Sequence, residues 1–284
     1  MRNSGSFGMQ ISVGVRFCKA FISKNYALDS LESPLATLKK DLDLSFIPVI
    51  ERRRLSEASK ITLGLLGDSP LHCPIVFSSQ KGEINRCFGM LQELAIHHLT
   101  SPTAFSLSVL NATPALLAIT QKNHSEILAI SAVDCFEYGL INAYALLCES
   151  AVDSQDLRKS SIKDCLVISY DENLGSKEIS AIIACVSLDS NLPQIRIKSH
   201  KSSLQGSVSA ANAAKRPCEA PTNTCKNNCV DSSILIKSKN DNKFGLTSNL
   251  SFLSAVAGEI PRYENGDFAL DISDFIREFS IENL

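Results

Sequence analysis

Strand and helix patterns alternate along residues 11–198 and restrict the chain to a layered fold. Ile11, Val13, Val15 and Phe17 alternate with small or polar residues, a period of two that predicts a half-buried strand. Further strands are predicted at Pro74–Ser79, Ile127–Ser131, Cys165–Tyr170, Ile179–Leu188 and Ile195–Lys198, and helices at Glu51–Leu66, Ile84–Ala95, Asn111–Thr120 and Phe136–Cys148. This alternation predicts an α/β domain with a mainly parallel central sheet.

Composition and charge exclude several classes of protein. A chain of 284 residues with 44% hydrophobic content can bury the core of one large domain. The net charge of −2 and pI of about 6.2 favour neither nucleic acid nor an anionic membrane as partner. No apolar run has the length of a membrane span, and the first residues lack a secretory pattern. Most of the ten cysteines lie in or beside apolar periodic segments, which indicates free thiols and a cytoplasmic protein.

The composition changes near residue 199 and divides the chain into three predicted parts. The first, at 8–198, is the domain with alternating patterns. The second, at 199–243, is rich in Ser, Asn and Lys, so burial offers little to offset its ordering entropy and we predict a flexible insertion. The third, at 244–284, regains apolar residues and is predicted to dock back on the domain.

Four segments carry a family resemblance, and their order along the chain is part of it. They are IPVIERRRLSEASKITL at Ile47–Leu63, PIVFSSQKGEINRCFGMLQELA at Pro74–Ala95, LTSPTAFSLSVLNATPALLAI at Leu99–Ile119, and LVISYDE at Leu166–Glu172. The sequence SPTAFSLSV is the most specific of them. The chain resembles the β-ketoacyl synthase N-terminal-like family, short proteins of aryl-polyene, polyketide and fatty-acid assembly genes. The resemblance implies a thiolase-like layered fold, of which only the N-terminal half is present.

The resemblance also directs attention to one turn. In active condensing enzymes a cysteine lies between a strand and a helix, where the helix N-terminus lowers its pKa. If Ile130 and Ser131 end the corresponding strand, Val133 occupies the nucleophile position, and valine cannot accept an acyl group. In an alternative register Cys135 is the nucleophile, with Asp134 or Glu137 nearby. That register still needs a histidine base, and the chain's five histidines stand in no recognisable motif.

These observations leave two main hypotheses for the function. In the first, the chain is a synthase-like subunit that lacks the catalytic cysteine, acts like a chain-length factor, and pairs with an active ketosynthase. The predicted oligomeric state is a hetero- or homodimer. An acyl carrier protein is then a second partner. The predicted interface residues are Ser106, Ser108, Asn111, Ile127, Ala129 and Ser131. In the second hypothesis, the chain is an acyltransferase or condensing enzyme that uses Cys135; a degenerate protein without a pathway role is a third reading.

Other candidate chemistry receives less support from the sequence. Cys218, Cys225, Cys229 and His200 lack the paired spacing of zinc sites, so we predict no metal. Neither a G-x-G-x-x-G nor a P-loop pattern occurs, so no cofactor is expected. Arg52–Arg54 are typical of a solvated helix start, or of a contact with the acidic helix or phosphopantetheine phosphate of a carrier protein.

Overall fold

The computed structural model describes residues 9–24, 34–38, 41–68, 71–153, 162–175, 178–199, 248–265 and 267–284. Within these ranges the α-helices are α1 (Val49–Arg52), α2 (Glu57–Leu66), α3 (Ile84–His97), α4 (Pro102–Ser106), α5 (Ala112–Thr120), α6 (Cys135–Asp153), α7 (Ser248–Ala257) and α8 (Phe275–Glu278). The strands are β1 (Gln10–Ile22), β2 (Ile75–Ser79), β3 (Ile127–Ser131), β4 (Asp164–Glu172), β5 (Ile179–Ser187), β6 (Gln194–Ser199), β7 (Arg262–Asn265) and β8 (Phe268–Asp271). Short 3-10 helices occur at Pro34–Leu38 and Ile281–Asn283.

All eight described strands form one sheet in the order β3-β2-β4-β5-β1-β6-β8-β7. Strand β2 pairs in parallel with β3 and with β4, whereas the other five pairings are antiparallel. The prediction of a mainly parallel sheet therefore holds only for β3, β2 and β4. The reason is partly connection length, because the short turn between β4 and β5 can only join antiparallel neighbours.

Helices cover both faces of the sheet and give the α/β layers that the sequence predicts. On one face, α6 and α7 pack against inward residues of the strands, including Val76, Val167 and Ile182. On the other face, α2 and α5 cover Phe77, Ile168 and neighbouring residues. Both central strands β4 and β5 are buried almost throughout, which explains their continuous apolar sequences.

The predicted helix Glu51–Leu66 is two helices, α1 and α2, and the break has a local cause. Ser56 caps α2, since its hydroxyl oxygen accepts a hydrogen bond from the Ser59 N–H at 3.0 Å. Gly67, with φ of +79°, ends α2 in a conformation that favours glycine. Within the described part of the chain, no helix has both the length and the apolar character needed to cross a membrane.

Helix α3 is amphipathic, as predicted, but none of the described residues covers its apolar face. None of its residues is buried, and from Leu91 to His97 every side chain is exposed. The large exposed apolar side chains continue beyond α3 through α4 toward α5. They are Phe88, Leu91, Leu94, Ile96, Leu99, Phe105, Val109 and Ile119, together called the apolar surface below.

The C-terminal segment packs into the core beside α6. The ring of Phe252 on α7 is 4.6 Å from that of Phe136 on α6 and 5.4 Å from that of Phe275 on α8, measured between centroids. Strand β8 joins the sheet against β6. The insertion predicted at 199–243 lies, apart from Ser199, outside the described residues.

Candidate functional site

Strands β2, β3 and β4 run in parallel and therefore end at the same edge of the sheet. Their last residues are Ser79, Ser131 and Glu172. Hydrogen bonds tie the ends together: the Ser131 hydroxyl donates to the Gln80 carbonyl at 3.2 Å, and the Gln80 N–H donates to Asp171 at 2.9 Å. In open α/β sheets, ligands bind in the crevice at the carboxyl ends of parallel strands, so this edge is the candidate site.

Val133 lies at this edge, in the turn between β3 and α6. Its side chain is 39% exposed, while the neighbouring Ala132 and Asp134 are buried. Helix α6 begins at Cys135, so Val133 belongs to the strand-to-helix turn. An isopropyl group at this place supplies no nucleophile, proton donor or proton acceptor.

Cys135 is fully buried beneath the turn and is bonded to two polar side chains of β4. Its thiol donates to Asp171 Oδ2 at 3.0 Å and accepts from the Ser169 hydroxyl at 3.1 Å. Burial, followed by the negative charge of Asp171, raises the pKa of the Cys135 thiol well above its ordinary value. The thiol is thus held protonated, and the thiolate is the reactive form of cysteine.

Asp171 is the polar centre of the cluster. Besides the Cys135 thiol, its carboxylate accepts hydrogen bonds from the Gln80 N–H at 2.9 Å and the Ser79 hydroxyl at 3.4 Å. Burial raises its pKa to about 6, and the hydrogen bonds from Cys135 and Gln80 oppose that rise. The sequence analysis missed Asp171 as a site residue, although a carboxylate at the end of a buried apolar strand could have indicated it.

No described histidine is bonded to this cluster. His72, His97, His98 and His124 are all exposed. His97 and His98 close α3, and His98 adopts a positive φ of 54° as the C-cap. His200 lies outside the described residues, as do Cys218, Cys225 and Cys229, so the structure does not bear on the zinc alternative. Among the described residues, no group of three or more His, Cys, Asp or Glu side chains is arranged to hold a metal ion.

The first turn of α6 and the residue directly before it carry two further buried carboxylates, which contact the C-terminal segment. Glu137 accepts hydrogen bonds from the Ser248 hydroxyl at 2.5 Å and the Asn265 amide at 2.8 Å. Asp134 accepts from the Asp267 N–H at 3.3 Å. Burial raises the pKa of Glu137 to about 7. These long-range contacts leave no local trace in the sequence.

Strand β3 is the outermost strand at one side of the described sheet. The Ile75 N–H donates to the Glu126 carbonyl at 2.9 Å, and the Ala132 N–H to the Ser79 carbonyl at 3.3 Å. Successive residues of a strand direct their backbone groups to opposite sides. The N–H and C=O groups of Ile127, Ala129 and Ser131 therefore face the open edge.

The other predicted interface residues lie on the loop and turns between α3 and α5. The hydroxyls of Ser106 and Ser108 donate to carbonyls of their own turn, those of Thr103 and Phe105, at 3.0 and 2.8 Å. Asn111 is exposed and occupies the N-cap position of α5, but its side chain makes no capping hydrogen bond. These residues border the apolar surface.

Of the three arginines of the basic run, only two are available to a partner. The Arg52 guanidinium turns inward and donates to the Ile47 carbonyl at 2.9 Å. Arg53 and Arg54 are exposed, and no carboxylate of the described residues forms an ion pair with either. They follow α1, whose Val49 and Ile50 are also exposed.

Comparisons with known proteins agree with this architecture. A family model described as the N-terminal domain of β-ketoacyl synthase matches residues 28–242. Among solved structures, the chain is similar to one of a ketosynthase (ApeO) in complex with its chain length factor (ApeC) from Xenorhabdus doucetiae, with 20% identity, a TM-score of 0.52, and coverage of 68% of this chain and 85% of that one. No curated protein matches.

Two further solved structures show more distant likeness. A β-ketoacyl synthase from Burkholderia phymatum STM815 is 11% identical, with a TM-score of 0.40 and coverage of 54% of this chain and 47% of that one. A type II polyketide synthase complex of acyl-carrier protein and ketosynthase (AntDE:AntF) is 12% identical, with a TM-score of 0.44 and coverage of 63% of each chain.

The layered sheet, with a parallel β2–β3–β4 portion and a long helix after β3, defines a ketosynthase-like α/β protein. The family match extends over more than half of the chain. The chain belongs to the β-ketoacyl synthase N-terminal domain family.

Proposed function

We propose that this chain is a non-catalytic ketosynthase-like subunit that pairs with an active ketosynthase of fatty-acid or polyketide biosynthesis, of the aryl-polyene type. Its role is that of a chain-length factor. The proposal rests on one observation, the absence of an available thiol at the described strand-to-helix turn. Val133 stands in the turn, and the nearest thiol, that of Cys135, is buried and bonded to Asp171.

A nucleophile of the condensing type needs a thiolate, a base and donors for the developing oxyanion. The raised pKa of Cys135 opposes the first requirement. Among the described residues, the hydrogen-bond partners of its thiol are a carboxylate and a hydroxyl rather than an imidazole, so the base is missing as well. The backbone N–H of Phe136, in the first turn of α6, already donates to the Ser248 hydroxyl at 3.0 Å and so is not free for an oxyanion.

The proposed partner docks at β3 and the apolar surface. Three residues of β3 direct outward backbone groups with which no described strand pairs, and an open strand edge is a template for pairing with another strand. The apolar surface lies on the segment that connects β2 to β3 and exposes eight large side chains. Exposed apolar patches of this kind mark protein contacts. The solved X. doucetiae structure of similar fold is that of a ketosynthase in complex with its chain length factor, which is the arrangement we propose here.

The test is co-expression of this chain with full-length ketosynthases of the same source, followed by affinity capture and light scattering. We expect a stable one-to-one complex with one of them. A chain that remains monomeric with every ketosynthase, or that forms only a homodimer, contradicts the proposed role.

The second candidate function, acyl transfer by Cys135, is favoured by the position of this residue at the start of α6. Intact-mass measurement after incubation with acyl thioesters distinguishes the two. We expect no acyl adduct on the native chain, because the buried thiol is protonated. The Cys135→Ala variant is the control. An adduct that appears on the native chain and disappears in this variant establishes the enzyme and refutes the non-catalytic role.

An acyl carrier protein is the second proposed partner, and Arg53 and Arg54 are its proposed contact. Paired reversal, Arg53→Glu with Arg54→Glu, is expected to weaken binding of an acidic carrier protein about tenfold at low salt, because rim charges steer and hold such partners. The difference should shrink as salt screens the charges. Lys198→Glu, an exposed cation on β6, is the matched control and should leave the Kd unchanged. Equal weakening by both variants would indicate a non-specific charge effect.

A further inference from the structure

The contact between the C-terminal segment and α6 is built around a buried carboxylate. Here α7 together with β7 and β8 is called the latch. Glu137, which has no exposed surface, receives the hydroxyl of Ser248 from α7 and the amide of Asn265 from β7. The Ser248 hydroxyl oxygen in turn accepts from the Phe136 N–H at 3.0 Å. The carboxylate of Glu137 thus connects α7 and β7 of the latch to the first turn of α6.

No cation among the described residues compensates this carboxylate. The described titratable groups that act on Glu137 are Asp134, directly before α6, Cys135 on α6 and Tyr263 on β7. Helix α7 contributes only neutral side chains, and of the described residues no Lys or Arg is bonded to Glu137. The Tyr263 hydroxyl is buried, and no described residue forms a hydrogen bond with it. A charged Glu137 therefore lies among neutral dipoles and a second acid, which is an unfavourable place for a buried charge.

We infer that Glu137 makes the packing of the latch on α6 depend on pH, so that the latch holds most firmly when this carboxyl group is protonated and loosens as it ionises. The direction follows from proton linkage. The pKa of Glu137 in the packed state is about 7, against 4.5 in water, so the packed state binds the proton more tightly than the opened state. The stabilisation is complete below the lower pKa and is lost as the pH rises through the higher one.

Hydrogen exchange of the latch amides, corrected for the intrinsic rates, tests the inference in the full chain. Linkage predicts that the opening equilibrium of the latch increases about thirty-fold between about pH 5.5 and about pH 8.5. Amides of β2 and β4 serve as the internal reference, because global unfolding would change their exchange and that of the latch amides equally. A pH-independent opening of the latch overturns the inference.

Two variants separate Glu137 from other titrating groups. Glu137→Gln removes the ionisation and is expected to abolish the pH dependence of latch exchange. Glu264→Gln, an exposed carboxylate on β7, is the matched control and should retain it. A dependence that persists in Glu137→Gln also overturns the inference. If this variant fails to fold, a pH-independent opening of the latch in the native chain still overturns the inference. The result is independent of whether a ketosynthase binds.

Discussion

Replacing Ala129 with Asp is expected to abolish the proposed complex with a ketosynthase. The backbone of Ala129 faces the open edge of β3, and its side chain is half-buried. A partner strand pairing there would trap the new carboxylate without a counter-charge, and uncompensated charges in interfaces cost about 2–5 kcal/mol, a loss of at least about thirty-fold in affinity. The Kd, measured by interferometry or calorimetry, checks the result.

Two further variants distinguish a loss of binding from a loss of folding. Ala145→Asp makes the same change at an exposed position of α6 and should bind normally. Ala129→Pro removes a donor that faces outward, a position where an edge strand tolerates proline without losing its own ladder bonds. We expect this variant to remain folded but to bind weakly. Native affinity of folded Ala129→Asp would show that β3 is not the interface.

Replacing Phe252 with Ala is expected to destabilise the whole domain by about 4 kcal/mol, because large-to-small changes of buried aromatic residues remove packing and leave a cavity. Phe252 is fully buried between the rings of Phe136 and Phe275, so its loss affects α6, α7 and α8 together. Urea unfolding, followed by circular dichroism, measures the free energy of unfolding.

The matched control for Phe252 is Ile260→Ala, at a residue of the same C-terminal segment that is 46% exposed. Surface substitutions away from special features usually change stability by about 0.5 kcal/mol or less. A loss below about 1 kcal/mol for Phe252→Ala would mean that the C-terminal segment is not part of the cooperative core.

Local periodicity was sufficient for most elements of secondary structure. The alternation of Ile11, Val13 and Val15 predicted β1, and the apolar run Ile127–Ser131 predicted β3 with its observed bounds. Periodicity failed where a polar side chain intervened, since Ser56 caps α2 and so divides the single predicted helix. Periodicity also gave no information on whether neighbouring strands pair in parallel or antiparallel, because the alternation of side chains is the same in both orientations.

The candidate site was predicted only in outline. The family resemblance directed attention to the turn at Val133 and Cys135, and the structure describes both at the carboxyl edge of the parallel strands. It did not indicate Asp171 or Ser169, which lie more than thirty residues from Cys135 and set the state of its thiol. Nor did it indicate Ser248 and Asn265, the partners of Glu137, because such contacts depend on how distant segments pack.

The sequence alone therefore determined the identity and order of the β-ketoacyl synthase-like segments, since local periodicity and short motifs are sufficient to recognise them. Only the tertiary structure decided that the described sheet is mostly antiparallel, that no described residue covers the apolar face of α3, and that the buried Cys135 thiol is hydrogen-bonded to Asp171. The physical reason is that strand partners and the polarity around a buried group are set by residues far apart in the chain, whereas periodicity reports only on near neighbours.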